Sequence, residues 1–264
     1  MTINENTNDS YSRDNQTEIP VVEKVGDNKC ETEKELEIKT QEYKEINNIL
    51  EEHLLNIEKI LKNINESLEG NCFYLHNWGG KRKKGNLKLD RYPELLTKQI
   101  NLFWSGSKIQ TKVCEIGFNA GHSALLFLLG CKNKNIKFTI FDVLWHNYTM
   151  PTFEYMKEKF KDVDWEFIKG DSTKEMSKWI IKNKDKLRSY DLVHVDGGHE
   201  EKHIKADMNN AHLLVKVGGL IIIDDTMDAH INKYADLYIG TGDYIECKIL
   251  KTSGYPHRII QKIK

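Results

Sequence analysis

Val113–Phe127 reads VCEIGFNAGHSALLF: a short apolar run, a turn bracketed by Gly117 and Gly121, and then an apolar stretch of helical length. Glycines at such a turn let the backbone bend tightly and come close to a ligand, and the start of the following helix offers unpaired N–H groups. A nucleotide-like cofactor suits that arrangement. The spacing is G-x-x-x-G with Asn119 inside it, whereas the dehydrogenase fingerprint needs G-x-G-x-x-G. The turn alone does not select its cofactor, so its surroundings must.

Downstream of the turn, strand-like runs alternate with helical patterns. Strands are expected at 112–116, 136–142, 165–168, 191–196 and 219–225, with helices at 121–129, 152–160, 173–182 and 201–215. The last of these strands, GLIIIDD, is nearly continuous in leucine and β-branched residues, as a strand covered on both faces should be. The runs 244–250 and 258–263 flank a turn at Ser253–Gly254–Tyr255–Pro256 and predict a hairpin. The expected fold is α/β, a doubly wound, mostly parallel seven-stranded sheet closed by a C-terminal antiparallel hairpin. Ligands in such sheets bind at the carboxyl ends of the strands.

Upstream, the pattern divides the chain into three parts. Residues 1–33 are rich in Asn, Asp, Glu, Thr and Ser and are expected to form a disordered tail, because they bury too little apolar surface to offset their ordering entropy. Residues 34–70 predict one long helix ended by Gly70, and 71–264 the domain built on the sheet. In the helix, Leu36, Tyr43, Leu50, Ile57 and Ile64 recur every seven residues, with Thr40, Asn47, Leu54, Leu61 and Leu68 in the complementary position. Such a seam suits a homodimeric coiled coil through residues 36–68. The preferred reading is an amphipathic helix lying on the domain, its apolar face widened by Ile46, Ile49 and Ile60. The connector 71–90 carries the basic run GGKRKKG (Gly79–Gly85), which reads as a solvated loop, a mobile lid over an anion or a nucleic-acid signal. Tyr92–Trp104 is expected to be helical, with Pro93 in its first turn.

Composition narrows the class. Charged residues make up 30% of the 264-residue chain and hydrophobic ones 39%, with a net charge of −1, so no global field points to nucleic acid or membrane. No apolar run approaches the ~20 residues that span a bilayer, and the N-terminus lacks a basic segment followed by an apolar core. The five cysteines show no CxxC spacing, which argues against structural zinc or a disulfide framework and fits a reducing cytoplasm. Cys114 and Cys131 are expected to be small buried hydrophobes.

Acids close all five of the alternating strands: Glu115, Asp142, Asp171 shortly after the third, Asp196, and the pair Asp224–Asp225. One such residue is commonplace; five converge on one crevice. At these residues the chain resembles the class I S-adenosylmethionine-dependent methyltransferases, from about Leu95 onward, and most of all the metal-dependent small-molecule O-methyltransferases of catechol and macrocin type. EIGFNAGHSALL resembles the family motif around the methionine end of the cofactor, which implies Glu115, Gly117, Asn119, Gly121 and Ser123 as cofactor-binding residues. The resemblance implies that Asp142 bonds the ribose hydroxyls and that Asp171 and Ser172 lie beside the adenine. It implies Asp196, Asp224 and Asp225 as ligands of Mg²⁺ or a similar cation, and three carboxylates do form the hard, oxygen-rich site such an ion prefers. Many methyltransferases have glycine where Asn119 stands.

The implied reaction moves a methyl group from S-adenosylmethionine to a hydroxyl of a small molecule or sugar. Alignment supplies most of the rate, a metal would acidify the hydroxyl, and a base would collect the proton. His199, just beyond Asp196, is the candidate base, at a position where the catechol enzymes carry lysine. His203 is a weaker rival, and His194, inside a strand, reads as a core residue. Asp225 could instead cap a following helix. Trp145, His146, Tyr148 and Pro151 are candidates to line the adenine and substrate pockets. Two other classes stay open: a nicotinamide-dependent oxidoreductase, and a non-catalytic interaction protein working through the heptad helix.

Overall fold

The computed structural model describes residues 33–75, 87–252 and 254–264. The expected tail, the basic run Gly79–Gly85 and Ser253 therefore lie wholly or almost wholly outside the described residues. Among those described, seven strands form a single sheet: β1 (Lys112–Ile116), β2 (Lys137–Asp142), β3 (Asp164–Lys169), β4 (Tyr190–Val195), β5 (Val215–Ile223), β6 (Tyr244–Glu246) and β7 (Arg258–Lys262). Their order is β3-β2-β1-β4-β5-β7-β6, parallel from β3 to β5, with β7 antiparallel to both β5 and β6. The doubly wound sheet with its closing hairpin is as the sequence pattern predicts.

Successive residues in a strand face opposite sides, and the central strands bury both. Val113, Leu192, Leu220 and Ile222 belong to one apolar cluster, and Cys114, Ile116, Val193, Val195, Ile221 and Ile223 to the other. The first cluster is covered by α3 (Leu96–Gly106), α4 (His122–Gly130) and α5 (Thr149–Lys159), and the second by α6 (Ser172–Lys182), α7 (Glu201–Leu214) and α8 (Ala229–Gly240). Cys114 and Cys131 are buried thiols, as expected. β5 starts earlier than its apolar run, and its register against β4 shifts between Tyr190 and Leu192, with Gly218 at φ +82° absorbing the irregularity. The helix α8 has no counterpart in the sequence reading.

The N-terminal helix is two helices, α1 (Glu33–Glu45) and α2 (Asn47–Ile64), hinged at Ile46. It stops well before Gly70. Asn65 takes the left-handed conformation at φ 55° and its N–H bonds the Leu61 carbonyl at 2.8 Å, a role that asparagine fills when glycine is absent. Leu36, Tyr43, Leu50, Leu54, Ile57, Leu61 and Leu68 are all buried within the chain itself, whereas Ile49 is exposed. The heptad seam is thus consumed against the domain, which supports the amphipathic reading over the two-chain coil. No described helix is long and apolar enough to cross a membrane.

Leu54 is fully buried in the shared core, so Leu54→Ala should cost about 2–5 kcal/mol of stability through lost transfer energy and the cavity left behind. Denaturant unfolding measures the loss. Sedimentation of the same variant should show the oligomeric state of the wild-type chain, because the seam is internal.

Candidate functional site

β1 and β4 lie side by side at the point where the strand order reverses, and their carboxyl ends deliver the glycine turn and Asp196 together. Gly117 has φ +90°, and a Cβ placed there would lie 2.0 Å from the Asp196 carbonyl oxygen. Both the dihedral and the approach demand glycine. Asn119 also sits in the left-handed region, at φ 53°, which asparagine tolerates better than most residues. Its side-chain amide donates to the carbonyls of Glu69 and Gly70. The segment after α2 is thereby tied across the glycine turn.

That strap is anchored at several points. Gln99 donates to the Cys72 carbonyl at 2.7 Å, and buried Glu66 accepts from Asn147 Nδ2 at 2.8 Å and lies 2.7 Å from His146 Nδ1. Beneath the strap lies a cavity of about 520 Å³, within the range of small-molecule sites. Its walls are Leu68–Cys72 of the strap, Gly117–Ala120, His122 and Ser123 of the turn, and Asp196–Glu200, with Lys98, Trp145, His203, Asp224, Asp225 and Tyr255.

Of the predicted cofactor residues, Gly117, Asn119 and Ser123 line this cavity; Glu115, Gly121, Asp142, Asp171 and Ser172 stand behind its walls. Glu115 is fully buried, accepting from Ser123 Oγ at 2.5 Å and lying 3.0 Å from His194 Nδ1. The Asp142 carboxylate accepts the N–H groups of Phe118, Asn119 and Leu144 at 2.9, 3.0 and 2.6 Å, so it moulds the turn from behind. Asp171 caps α6, accepting from Thr173 N–H and Oγ1. Behind it, burial pushes the Asp207 carboxyl up to about 7. Of the aromatic segment, Trp145 reaches the cavity, while His146 and Tyr148 stack at 4.7 Å beside the strap and Pro151 lies outside the lining.

The acid cluster differs from the expected trio. The compact donor group is His194, Asp196 and Asp224, with one donor atom of each within 4.8 Å of the others. Asp225, at φ 52°, turns its carboxylate to His199 Nε2 at 2.8 Å. Nor does Asp225 cap α8, whose N-cap is Asp228. Asp224 Oδ1 accepts from the Asp225 N–H at 2.9 Å and from the buried ammonium of Lys98 at 2.7 Å. Burial works to raise the Asp224 pKa, but Lys98, with His194 and His257, outweighs it and holds the carboxyl below the usual range. Burial, reinforced by Asp224 and Asp225, pushes Asp196 well above that range. A magnesium ion wants near-ideal octahedral oxygen ligands. Here one predicted ligand is turned away, another is already paired with a cation, and the third member of the group is an imidazole. The residues in this arrangement do not fit the predicted three-carboxylate magnesium seat.

Three histidines complete the surroundings. His194 is fully buried, with Nδ1 on Glu115 but Nε2 lacking a hydrogen-bond partner among the described residues, so it is only half the satisfied core residue that its place in β4 suggests. His122 lines the cavity with its Nε2 also unpartnered, and burial lowers its pKa to about 3. His199 is half exposed, and the hydrogen bond to Asp225 is the largest influence raising its pKa. Lys98, His122 and His257 were not singled out by sequence pattern.

Two outcomes follow from this geometry. Gly117→Ala should cost about 2–4 kcal/mol, from a positive φ and a clash with backbone that cannot swing aside, read as a lowered thermal midpoint. The His199 imidazole, followed by NMR, should titrate above the ordinary ~6.5, and in Asp225→Asn the midpoint should fall back toward it. The sign is that of a raised histidine: the pair stabilises the fold fully below the unfolded pKa and loses that contribution as pH rises through the folded one.

Residues 114–226 match the family model described as a methyltransferase domain. Among solved structures, CalS11, a TDP-rhamnose 3'-O-methyltransferase of calicheamicin biosynthesis, superposes with a TM-score of 0.51 at 13% identity, over 64% of this chain and 80% of that one. The O-methyltransferase TomG from Streptomyces achromogenes, involved in tomaymycin synthesis and solved with S-adenosylmethionine, gives 0.49 at 12% identity over 63% and 79%. A Corynebacterium glutamicum protein gives 0.49 at 19% over 64% and 81%. At these identities the likeness is one of fold. No curated protein sequence matches the chain. Over residues 114–226 the chain is thus similar to a methyltransferase domain, and the sheet order and the glycine turn agree with that likeness better than with the nicotinamide alternative.

Proposed function

We propose that this chain transfers a methyl group from S-adenosylmethionine to a hydroxyl of a small molecule or sugar. The observation that carries the reading is the single cavity in which the glycine turn faces the cluster of Asp196, Asp224, Lys98 and His199. In this reading Gly117, Asn119 and Ser123 meet the methionine end of the cofactor. Asp142 serves it chiefly by holding the turn that the cofactor touches, and Asp171 and Ser172 stand toward the adenine side. The strap Leu68–Cys72 and Trp145 close over the acceptor and exclude water.

The chemistry asks for alignment more than activation. The acceptor oxygen takes the methyl carbon as the S–CH₃ bond breaks, the sulfonium becomes a neutral thioether, and the hydroxyl proton leaves to a base. Holding the two reactants in line supplies most of the acceleration. In this reading His199 receives the proton: Asp225 fixes its Nε2 side, and Nδ1, with Asp228 Oδ2 3.8 Å away, is the atom offered to the acceptor. Because Asp225 raises the pKa of His199, the neutral, proton-accepting form gains ground only on the alkaline side of the ordinary histidine range. No step is assigned to a metal ion, since the donor set does not form the expected seat.

Calorimetric titration of the full chain with S-adenosylmethionine should show saturable binding that Gly117→Ala abolishes. Absence of heat at millimolar ligand would sink the reading. With labelled cofactor and a panel of hydroxylated acceptors, turnover should climb with pH through the His199 titration, and in His199→Gln that limb should disappear.

A further inference from the structure

Lys98 is the residue in this cavity that neither the glycine motif nor the acids account for. It comes from α3, outside the segment 114–226 that matches the methyltransferase domain. Its side chain is only 5% exposed, and lysines are almost never buried so deeply without a partner. The partner is Asp224, 2.7 Å away, and the ammonium still borders the cavity.

The backbone that carries Lys98 is held from two sides. Gln99 accepts from Tyr43 Oη and donates to the Cys72 carbonyl, both at 2.7 Å. Asn101 exchanges two hydrogen bonds with the backbone of Leu250, at 2.8 and 2.9 Å. The charge is therefore built into the framework, unlike a flexible surface lysine that can swing away.

It also competes for a carboxylate oxygen that a divalent ion would need. Asp224 Oδ1 spends its acceptor capacity on the ammonium and on the Asp225 N–H, and Asp225 is pledged to His199. Only Asp196, Asp224 Oδ2 and a buried imidazole remain. We propose that Lys98 is the resident cation of this centre, its ammonium standing in the place of a metal ion, neutralising Asp224 and presenting fixed positive charge to the acceptor oxygen. An ammonium has three N–H donors; one is used on Asp224, leaving two for an oxygen on which negative charge builds as its proton departs. Lys98 neither gives nor takes a proton in the step. The catalytic part of this inference rests on the methyl-transfer reading; the exclusion of metal rests on geometry alone.

The test reads metal binding directly. Chelator-stripped, full-length protein is titrated with Mn²⁺ and the free ion followed by electron paramagnetic resonance. The wild type should take up no Mn²⁺ at this site. Lys98→Ala, which removes the competing charge and frees Asp224, should gain about tenfold or more in affinity, and Asp196→Asn added to it should lose that gain. Wild-type Mn²⁺ binding that Asp196→Asn abolishes would overturn the proposal, as would a Lys98→Ala protein that folds and gains nothing. Lys98→Gln, with less change in volume, replaces Lys98→Ala if circular dichroism shows the latter unfolded, and the wild-type arm needs no variant. S-adenosylmethionine binding, measured alongside, separates the two failures: its absence removes the methyl-transfer reading without touching the metal result.

Discussion

No side chain fits at position 117, and most of the site follows from that. β1 and β4 run in parallel register at the reversal of the sheet, and the chain leaving β1 passes so close to the Asp196 carbonyl that a methyl group would collide with it. This approach sets the glycine turn against the loop that carries Asp196 and His199. It leaves a cavity between them instead of a packed core. Asp142 stabilises the turn from the far side by accepting two of its N–H groups.

Electrostatics at the strand ends follow from the same crowding. Carboxylates brought together in a half-dry pocket raise one another's proton affinity unless a cation intervenes. In Asp196 burial and the neighbouring carboxylates outweigh Lys98 and the carboxyl is raised, whereas in Asp224 Lys98, in direct contact, reverses the effect of burial. The Asp225–His199 pair draws a third carboxylate away from the centre. Acids that look equivalent along the chain thus end in three different states. Which cation each one meets decides the outcome: Lys98 pairs with Asp224 and His199 with Asp225.

The N-terminal helices share a core with the sheet. Their apolar seam packs on the same face of the sheet as α3–α5, and the strap that follows them forms one wall of the cavity. A single asparagine in the glycine turn, where the related motif often has glycine, ties strap to turn through Asn119 Nδ2. The shape of the turn and the packing of the extension are coupled through that side chain.

What the sequence by itself determined was the sheet, most of its helices and the glycine turn after the first strand. Those features have local signatures: continuous β-branched runs for doubly covered strands, glycines where φ must be positive, and acids at strand ends. The helix α8 carries a legible apolar face, Ile231, Tyr234, Ala235, Tyr238 and Ile239 at helical spacing, that the reading of the chain passed over. The end of α2 was misplaced because Asn65 did the work usually given to glycine. What only the tertiary structure decided was which of these residues meet. Lys98 looks like a surface lysine in its helix, and its partner lies 126 positions away. Asp225 and Asp224 are neighbours in sequence, yet one left-handed backbone angle sends their carboxylates to different partners. Pairings between distant charges depend on how helices settle on the sheet. Periodicity along the chain carries no trace of them.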